Sequence, residues 1–287
     1  MIQHLLQLIW NQRKQNAWLW AELLLVSVFL WFLVDYLYVM GRTYTAPLGF
    51  DIRHTYSIVI SSLSERSPDY IPKEKRERPD GVHLLTALDR IRTYPGVESA
   101  CLTDGGMPYY MGSRNLVWRI DTLQVPCRYA FVTPEFFDVF RIYDKDGKTA
   151  SLKRAIEDNN SIVISADVET MNPGLSLLGQ KAYRGNVTDE IEETIRGISV
   201  PIRRHEYTKA EPNVYRALRL SRMEEGYYEG MIDAVRLCVR VRPDVDNADF
   251  PARFRKDMAE QLRLGNLYLL DLSLIHISEP TRLGMIS

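Results

Sequence analysis

Cysteine is scarce in this chain, and its distribution excludes several classes of protein. The 287 residues include three cysteines, Cys101, Cys127 and Cys238, and no two of them form a CxxC pair. A zinc ribbon or a thioredoxin-type redox motif therefore has no support. Small buried hydrophobic side chains are the simplest interpretation of all three. A Cys101–Cys127 disulfide is the alternative for a periplasmic domain, although an odd count argues against a disulfide-built fold.

An excess of positive charge is also missing. The chain has 36 basic and 37 acidic residues, which gives a formal net charge of -1. No basic stripe with interleaved aromatic residues occurs, so we expect no nucleic-acid partner. The five histidines are scattered, and no pair lies at metal-ligand spacing on a recognisable helix. We therefore expect no metal site.

Catalytic and nucleotide-binding motifs are absent as well. There is no GxxxxGK[ST] loop for ATP, and no GxSxG, HExxH or SxxK supports hydrolase chemistry. The segment Asp144 to Lys148, DKDGK, has a faint resemblance to a calcium loop, but its glycine comes too early and a polar turn is favoured. DGG at Asp104 to Gly106 also predicts a turn, and Glu192 and Glu193 are expected at solvated strand ends. We expect no catalytic, cofactor-binding or metal-binding residue, and hence no enzyme.

The chain does contain one long apolar run, Ala17 to Met40. As a helix it would cover about 36 Å, enough for the ~30 Å hydrocarbon core of a membrane. Glu22 and Asp35 interrupt it near its ends, and each could cost up to about 3 kcal/mol at the bilayer centre. Snorkelling to the interface is the favoured interpretation of both carboxylates, and a functional intramembrane role is the alternative. We predict a transmembrane helix over residues 17–40.

The flanks of this run predict its orientation. Aromatic residues at both ends resemble interfacial belts, namely Trp18, Trp20, Trp31, Tyr36 and Tyr38. Arg13 and Lys14 precede the run and only Arg42 follows closely, so the positive-inside rule places the N-terminus in the cytoplasm. A cleavable signal peptide is the rival interpretation, but no A-x-A-like site follows.

Residues 1–16 predict a short amphipathic helix on the cytoplasmic membrane surface. Ile2, Leu5, Leu6 and Ile9 would share one helical face. A simple extension of the membrane anchor explains the same residues equally well.

Residues 41–271 predict an extracytoplasmic α+β domain, because strands and helices mix without strict βαβ alternation. Period-two patterns predict strands in HTYSIVIS, VESACLT, NLVWRID, VPCRYAFV, NSIVIS, EETIRGISV and AVRLCVRV. A first helix should begin near Asp80 and bury Val82, Leu85, Leu88 and Ile91. A closing helix should bury Phe250, Phe254, Met258 and Leu262 and end by Gly265.

Three local features complete this prediction. Lys73 to Arg78 should be a solvated loop, with contact to lipid headgroups as the alternative. In TPEFFDVF, Thr133 is expected to be the N-cap of a short helix with Pro134 at its first position. Ser165 is expected to cap the helix that follows NSIVIS.

The order of these features resembles a known family. VTPEFFDVF, Val132 to Phe140, is its most specific motif, and SIVIS and LLGQK follow at the expected places. The chain from about Met1 to Leu270 is similar to FtsX-like permease subunits of ABC transporters that carry a MacB-like periplasmic core domain. The resemblance implies a bacterial inner-membrane protein whose domain lies between the first two transmembrane helices. It also implies a separate ATP-binding subunit, a homo- or heterodimer of permease subunits, contact with the lipid bilayer, and no cofactor.

The end of the chain departs from this family, because the later membrane spans do not follow. LSLIHISEPTR, Leu272 to Arg282, is similar to one reading frame of a common transposon-derived sequencing adapter. We therefore expect the native sequence to stop near Asp271 and residues 272–287 to be a read-through artefact. A short C-terminal strand is the alternative.

The sequence supports three functions to different degrees. An N-terminal fragment of a permease subunit for export or mechanotransmission is favoured. The alternative is a single-span, membrane-anchored protein that binds a ligand or acts as a sensor. An anchored enzyme would require convergent polar groups in a pocket that the sequence does not reveal.

Overall fold

The structure, a computed structural model, describes residues 10, 17–110, 112, 114–185, 190–226 and 232–275. They belong to two compact units, one formed by residues up to Pro47 with Glu206–Thr208 and the other by the rest. Apart from Trp10, the predicted amphipathic helix over residues 1–16 lies outside the described residues.

The first unit is dominated by helix α1, Ala17–Thr45, which has no buried residue. Leu, Phe and Trp side chains cover it on all sides, as expected for a helix whose surroundings are apolar. By length and composition it can cross a membrane. The helix continues five residues beyond the predicted end at Met40 and ends at Thr45.

The second unit is built on a ten-stranded sheet with the order β10-β1-β9-β2-β4-β3-β6-β7-β5-β8. A further pairing joins β4 to β8. The six strands β4, β3, β6, β7, β5 and β8 therefore form a closed ring, and β2, β9, β1 and β10 extend from it. The pairs β4/β8 and β5/β7 are parallel. The strands are β1 Thr55–Ser62, β2 Val97–Asp104, β3 Arg114–Ile120, β4 Leu123–Val132, β5 Ser161–Ser165, β6 Lys181–Arg184, β7 Ile191–Ser199, β8 Asn213–Ala217, β9 Val235–Val241 and β10 Leu267–Leu274.

Six helices pack on or between these strands in the described part of the domain, and two short 3-10 turns accompany them at Lys73–Lys75 and Ile232–Ala234. The helices are α2 Asp80–Arg92, α3 Phe136–Val139, α4 Ala150–Ala155, α5 Asp167–Met171, α6 Leu220–Glu224 and α7 Phe250–Met258.

The core of the domain has three apolar clusters. The first joins α2 and α7 to the strands β1, β2, β9 and β10. The second surrounds α3, and the third lies among strands of the ring and centres on Trp118. The α+β fold class is therefore confirmed, and the strands predicted from period-two patterns are present. Strands β6 and β8 were not predicted, and β10 corresponds to the short C-terminal strand that was the alternative to an artefact.

The apolar face of α2 is rotated from the predicted one. Its buried apolar residues are Leu84, Ala87, Leu88 and Ile91. Val82 and Leu85 are only half-buried because they lie on the flank of this stripe. The closing helix does bury Phe250, Phe254 and Met258, but it ends at Met258 rather than at Gly265, and Leu262 is buried beyond its end.

Neither predicted helix cap forms. The hydroxyl of Thr133 accepts a hydrogen bond from the backbone N–H of Leu102, which lies in β2. The hydroxyl of Ser165 accepts one from the N–H of Asn213 in β8. Both hydroxyl groups therefore accept hydrogen bonds from the backbone of neighbouring strands. The helices α3 and α5 have no side-chain cap at their N-cap residues, Glu135 and Ala166.

The loop from Lys73 to Arg78 is exposed as predicted, except for Arg76. Its guanidinium donates to the Asp80 carboxylate at 3.0 Å and to the hydroxyl of Tyr70 at 3.0 Å. The Arg76 side chain is only 12% exposed. Part of this charged run therefore fastens the loop to the start of α2.

The expected domain limit at Asp271 does not coincide with the end of an element. Strand β10 continues to Leu274, and Leu272 lies opposite Ile58 of β1. Leu272 and Ile275 are buried. Leu272 and Ile275 therefore pack in the core of the domain, although both lie in the segment that was expected to be an artefact. Residues 276–287 lie outside the described residues.

Candidate functional site

The segment that leads into the domain, residues 48–54, is held by a buried arginine of β9. We call these residues the entry segment. Arg240 donates from Nη1 to the carbonyl oxygen of Arg53 at 2.8 Å, and from Nη2 to that of Asp51. Its Nε donates to the carbonyl oxygen of Val139 in α3 at 2.7 Å. One side chain therefore ties together the entry segment, β9 and the helix of the TPEFFDVF motif.

Arg240 is only 1% exposed although it carries a charge. Burial, the largest effect, lowers its pKa, and the nearby cation of Arg141 lowers it further. An arginine stays protonated under such conditions, because its pKa starts far above neutrality. Two backbone hydrogen bonds reinforce the junction, from Asp51 N–H to Phe140 O and from Val241 N–H to His54 O, both at 2.8 Å.

A polar cleft of about 300 Å³ lies close to this junction. It is lined by Glu98, Ser99, Asp138, Arg141, Tyr143 and Thr149. Lys153 Nζ contacts Asp138 Oδ2 at 2.5 Å, and the Thr149 hydroxyl donates to Asp138 Oδ1 at 2.6 Å. Arg141 Nη1 lies 3.5 Å from Asp51 Oδ2. The charged groups of the cleft thus pair with charges on neighbouring segments, an arrangement that suits packing or weak polar binding.

A second buried ionic cluster lies in the ring of strands. Glu193 of β7 accepts hydrogen bonds from Trp118 Nε1 at 3.2 Å and from Arg216 Nη2 at 2.5 Å. Its side chain is 1% exposed. Burial lowers the pKa of Arg216, and the charge of Glu193 opposes that shift. Glu193 was predicted to be solvated like Glu192, and this prediction is wrong because β7 turns alternate side chains into the ring.

A third polar cluster joins β1 to the loop after β9. His54 Nδ1 lies 2.6 Å from Asp246 Oδ2, and the Tyr56 hydroxyl donates to Asp246 Oδ1 at 2.5 Å. Burial raises the pKa of Tyr56, and its hydrogen bond to Asp246 raises it further. The phenol therefore remains a donor, and the cluster fixes the loop that follows Val241.

The DKDGK segment forms a polar turn around Asp144. Asp144 Oδ1 accepts hydrogen bonds from the N–H groups of Asp146 at 2.9 Å and Lys148 at 2.8 Å, and Ser151 donates to Oδ2. Burial raises the pKa of Asp144, but these hydrogen bonds outweigh it and the net shift is downward. The carboxylate oxygens thus serve the turn itself, as an Asx-type turn requires.

The two carboxylates of α1 lie closer together than a bilayer is thick. Leu23 to Val34, the stretch between Glu22 and Asp35, covers about 18 Å of helix, less than the ~30 Å hydrocarbon core. A membrane centred on this stretch would place both carboxylates a few ångströms inside its boundary. Because side chains can snorkel over such distances, the interpretation of both residues as interfacial stays a prediction.

The structure corrects the cysteine pairing considered above. All three cysteines are buried thiols. Cys101 and Cys238 belong to the cluster around α3, whereas Cys127 belongs to the cluster around Trp118. A Cys101–Cys127 disulfide is therefore excluded by their placement in different parts of the core.

A metal site requires several ligating side chains that lie close together in the fold. In the described ranges, no group of three or more His, Cys, Asp or Glu side chains could hold a metal ion. The absence of a metal site from the chain remains a prediction, as does the absence of a catalytic or cofactor site.

Several solved structures are similar to this chain. A domain of a protein named as a permease in Porphyromonas gingivalis matches with a TM-score of 0.50 and 18% identity, over 78% of this chain and 92% of that one. The periplasmic region of MacB from Actinobacillus actinomycetemcomitans matches with a TM-score of 0.44 and 9% identity, over 80% of this chain and 94% of that one. The extracellular domain of the noncanonic ABC-type transporter YknZ from Gram-positive bacteria matches with a TM-score of 0.46 and 12% identity, over 76% of this chain and 100% of that one.

No protein-family model matches the chain, and no curated protein matches it. The first structural match shows that the chain has the fold of a permease domain. The resemblance seen in VTPEFFDVF, SIVIS and LLGQK is thus confirmed at the level of the fold.

Proposed function

We propose that this chain is the N-terminal part of a permease subunit of an ABC-type export or mechanotransmission system. One observation carries the proposal: a helix able to cross a membrane directly precedes a domain with the fold of a permease domain. In this role α1 anchors the chain in the bacterial inner membrane with its N-terminus in the cytoplasm. The domain then lies in the periplasm.

The connection between helix and domain suits the transmission of motion. Helix α1 ends at Thr45 and the entry segment begins at Leu48, so Ala46 and Pro47 alone join them. A connection of two residues, one of them a proline with fixed φ, has little slack. A displacement of α1 would reach the entry segment, and Arg240 would pass it on to β9 and α3.

The energy for such motion must come from a partner. The chain has no phosphate-cradling loop, so a separate ATP-binding subunit would supply ATP hydrolysis, and a homo- or heterodimer of permease subunits would form the membrane part. We expect the purified chain neither to bind nor to hydrolyse ATP. Nucleotide binding that survives removal of contaminating ATPases would contradict this role.

Cysteine labelling in whole cells tests the orientation. In a Lys75→Cys variant the new thiol would lie at an exposed position, while the three native thiols are buried. A membrane-impermeant maleimide should label it without opening the inner membrane. A Lys14→Cys variant is the matched control and should react only after the inner membrane is opened. The reverse pattern would overturn the proposed topology.

The second candidate is a membrane-anchored protein that binds a ligand or acts as a sensor. The polar cleft lined by Glu98, Asp138 and Arg141 is the observation that favours it. The uninterrupted gene discriminates between the two candidates. Further hydrophobic spans after Leu270 would support the permease, and a stop codon there would support the anchored binding protein.

A further inference from the structure

Two of the three cysteines face each other across neighbouring strands. Cys101 of β2 is the direct partner of Cys238 of β9 in an antiparallel pair. Directly opposed residues in such a pair have Cα atoms about 4.5–5.5 Å apart, within the 4.4–6.8 Å range that a disulfide requires. The backbone therefore needs no rearrangement to join them.

The side chains point to the same place. Both cysteines are 0% exposed and belong to one apolar cluster. Cys238 Sγ lies 3.6 Å from Met107 Sδ, which belongs to the same cluster. Burial raises the pKa of the Cys101 thiol well above its usual value. A pair enclosed in this way reacts slowly once the domain has folded.

The third cysteine cannot compete for either partner. Phe131 of β4 lies opposite Asp104 of β2. Cys101 lies three residues from this pair along β2, and Cys127 lies four residues from it along β4 in the opposite direction. At about 3.3 Å per residue, the two cysteines are therefore separated by about 23 Å along the sheet. Cys127 is instead the partner of Leu116 in the β3/β4 hairpin.

We propose that Cys101 and Cys238 are joined by a cross-strand disulfide in the native protein, an inference that rests on the proposed extracytoplasmic location of the domain. The two thiols lose two electrons and two protons in this reaction, and the disulfide of an extracytoplasmic thiol oxidase is reduced to a dithiol. One cysteine thiolate attacks the disulfide of the oxidase, and the other resolves the mixed disulfide. Because both sulfurs are enclosed afterwards, the bond forms before β2 and β9 close on each other.

The bond would lie on the path that holds the entry segment. Cys238 precedes Arg240 by two residues on β9, and β2 is the strand that connects β9 to β4 of the ring. A covalent link between β9 and β2 prevents the two strands from sliding past each other. A pull on the entry segment would then reach the ring through a joined pair of strands.

Counting free thiols in the full chain tests the proposal. Cells are quenched with acid, the protein is denatured, and its thiols are alkylated with a mass-tagged maleimide before electrophoresis. The wild-type chain should carry one tag, on Cys127, and three tags after reduction. A Cys127→Ser variant is the matched control and should carry none before reduction. Cys101→Ser and Cys238→Ser should each carry two.

Other counts would overturn the pairing. Three tags on the unreduced wild-type chain would mean that no disulfide forms. No tag on unreduced Cys238→Ser would mean that Cys101 pairs with Cys127. The wild-type and Cys127→Ser counts decide the matter even where the other two variants fail to fold.

A parallel culture of the Lys75→Cys variant separates failure of the disulfide from failure of the proposed function. The Lys75→Cys label reports on which side of the membrane the domain lies. Free thiols in a domain that the label places outside would overturn the disulfide alone. Free thiols in a domain that the label places in the cytoplasm would overturn the topology and the disulfide together.

Discussion

Arg240 Nε lies 2.7 Å from the carbonyl oxygen of Val139, and through this contact strand β9 holds α3, the helix of the TPEFFDVF motif. The same guanidinium holds the carbonyl oxygens of Asp51 and Arg53 in the entry segment. Three pieces of chain that are distant in sequence thus depend on one buried cation. The proposed transmission of motion depends on the same contacts.

Replacing Arg240 tests this junction. An Arg240→Met variant keeps much of the side-chain volume but leaves one buried and two partly buried carbonyl oxygens without their donor, so we expect the free energy of unfolding to fall by about 3 kcal/mol. Urea melts of the soluble domain from Gly41 onward would measure the change. Arg242→Gln is the matched control, since the Arg242 side chain is 55% exposed, and it should change stability by no more than about 0.5 kcal/mol. Equal melts for the two variants would show that Arg240 is not the junction.

The Glu193 cluster gives a similar comparison between adjacent residues. Glu193→Gln leaves Arg216 as a buried cation without its carboxylate, and breaking a buried pair typically costs about 3–5 kcal/mol. Glu192→Gln should be close to neutral, because the Glu192 side chain is 46% exposed. Chemical denaturation followed by Trp118 fluorescence would report on both variants. A Glu193→Gln domain as stable as the Glu192→Gln domain would contradict the assigned role.

The three phenylalanines of the TPEFFDVF motif, Phe136 and Phe137 in α3 and Phe140 just after it, are all 0% exposed. A helix as short as α3 is not stable alone, so its position must come from tertiary packing. Truncating Phe136, Phe137 or Phe140 to Ala should therefore cost about 3–5 kcal/mol through lost burial and the cavity left behind. Leu178→Ala, at a position that is 57% exposed, is the control in the same denaturation assay. If none of the three substitutions changed the free energy of unfolding, the motif would not anchor the fold.

The turn around Asp144 predicts a dependence of stability on pH. Its pKa is lowered in the folded state, so the carboxylate stabilises the fold above its unfolded pKa of about 3.9 and this contribution disappears as the pH falls through the folded pKa. Asp144→Asn should lower the urea midpoint at pH 6 and have a smaller effect at pH 3. Asp146→Asn, at an exposed position of the same turn, should show no such convergence. A constant difference at both pH values for Asp144→Asn would contradict the assignment.

Two truncations separate the last strand from the tail. Deleting residues 272–287 removes the buried Leu272 and Ile275 and shortens the pairing of β10 with β1, so we expect a loss of more than about 3 kcal/mol. Deleting residues 276–287 removes only what we expect to be adapter-encoded sequence, and the change should stay within about 0.5 kcal/mol. Thermal melts of the two truncated domains would decide. Equal stability of both truncated domains would indicate that the folded domain ends near Asp271.

Much of the fold could be predicted because it depends on local pattern. The run from Ala17 to Met40 predicted α1 by length and hydropathy, and alternation of apolar and polar residues predicted β1 and β9. The missed strands β6 and β8 are short, and β8 pairs with β4 and β5, which are distant in sequence. Without knowledge of those partners, four or five residues with mixed polarity carry no sufficient signal.

The functional features were harder to predict than the elements that carry them. Alternation in AVRLCVRV places Arg240 on the face opposite Val239 and Val241, which sequence reasoning takes to be the solvent face. In the structure α3 and the entry segment cover that face, so Arg240 is buried. Glu193 was missed for the same reason, since the face of β7 that it occupies closes into the ring.

The sequence by itself therefore determined the long apolar helix α1, most of the strands and the helix of the TPEFFDVF motif, because each follows from periodicity and length within one segment. Only the tertiary structure decided which polar residues are buried, that Cys101 meets Cys238 rather than Cys127, and that Leu272 belongs to the core. These outcomes depend on which strands become neighbours and on what covers their second face. A period-two pattern reports one buried face of a strand, and burial of the other face is decided by contacts between segments that are far apart in the chain.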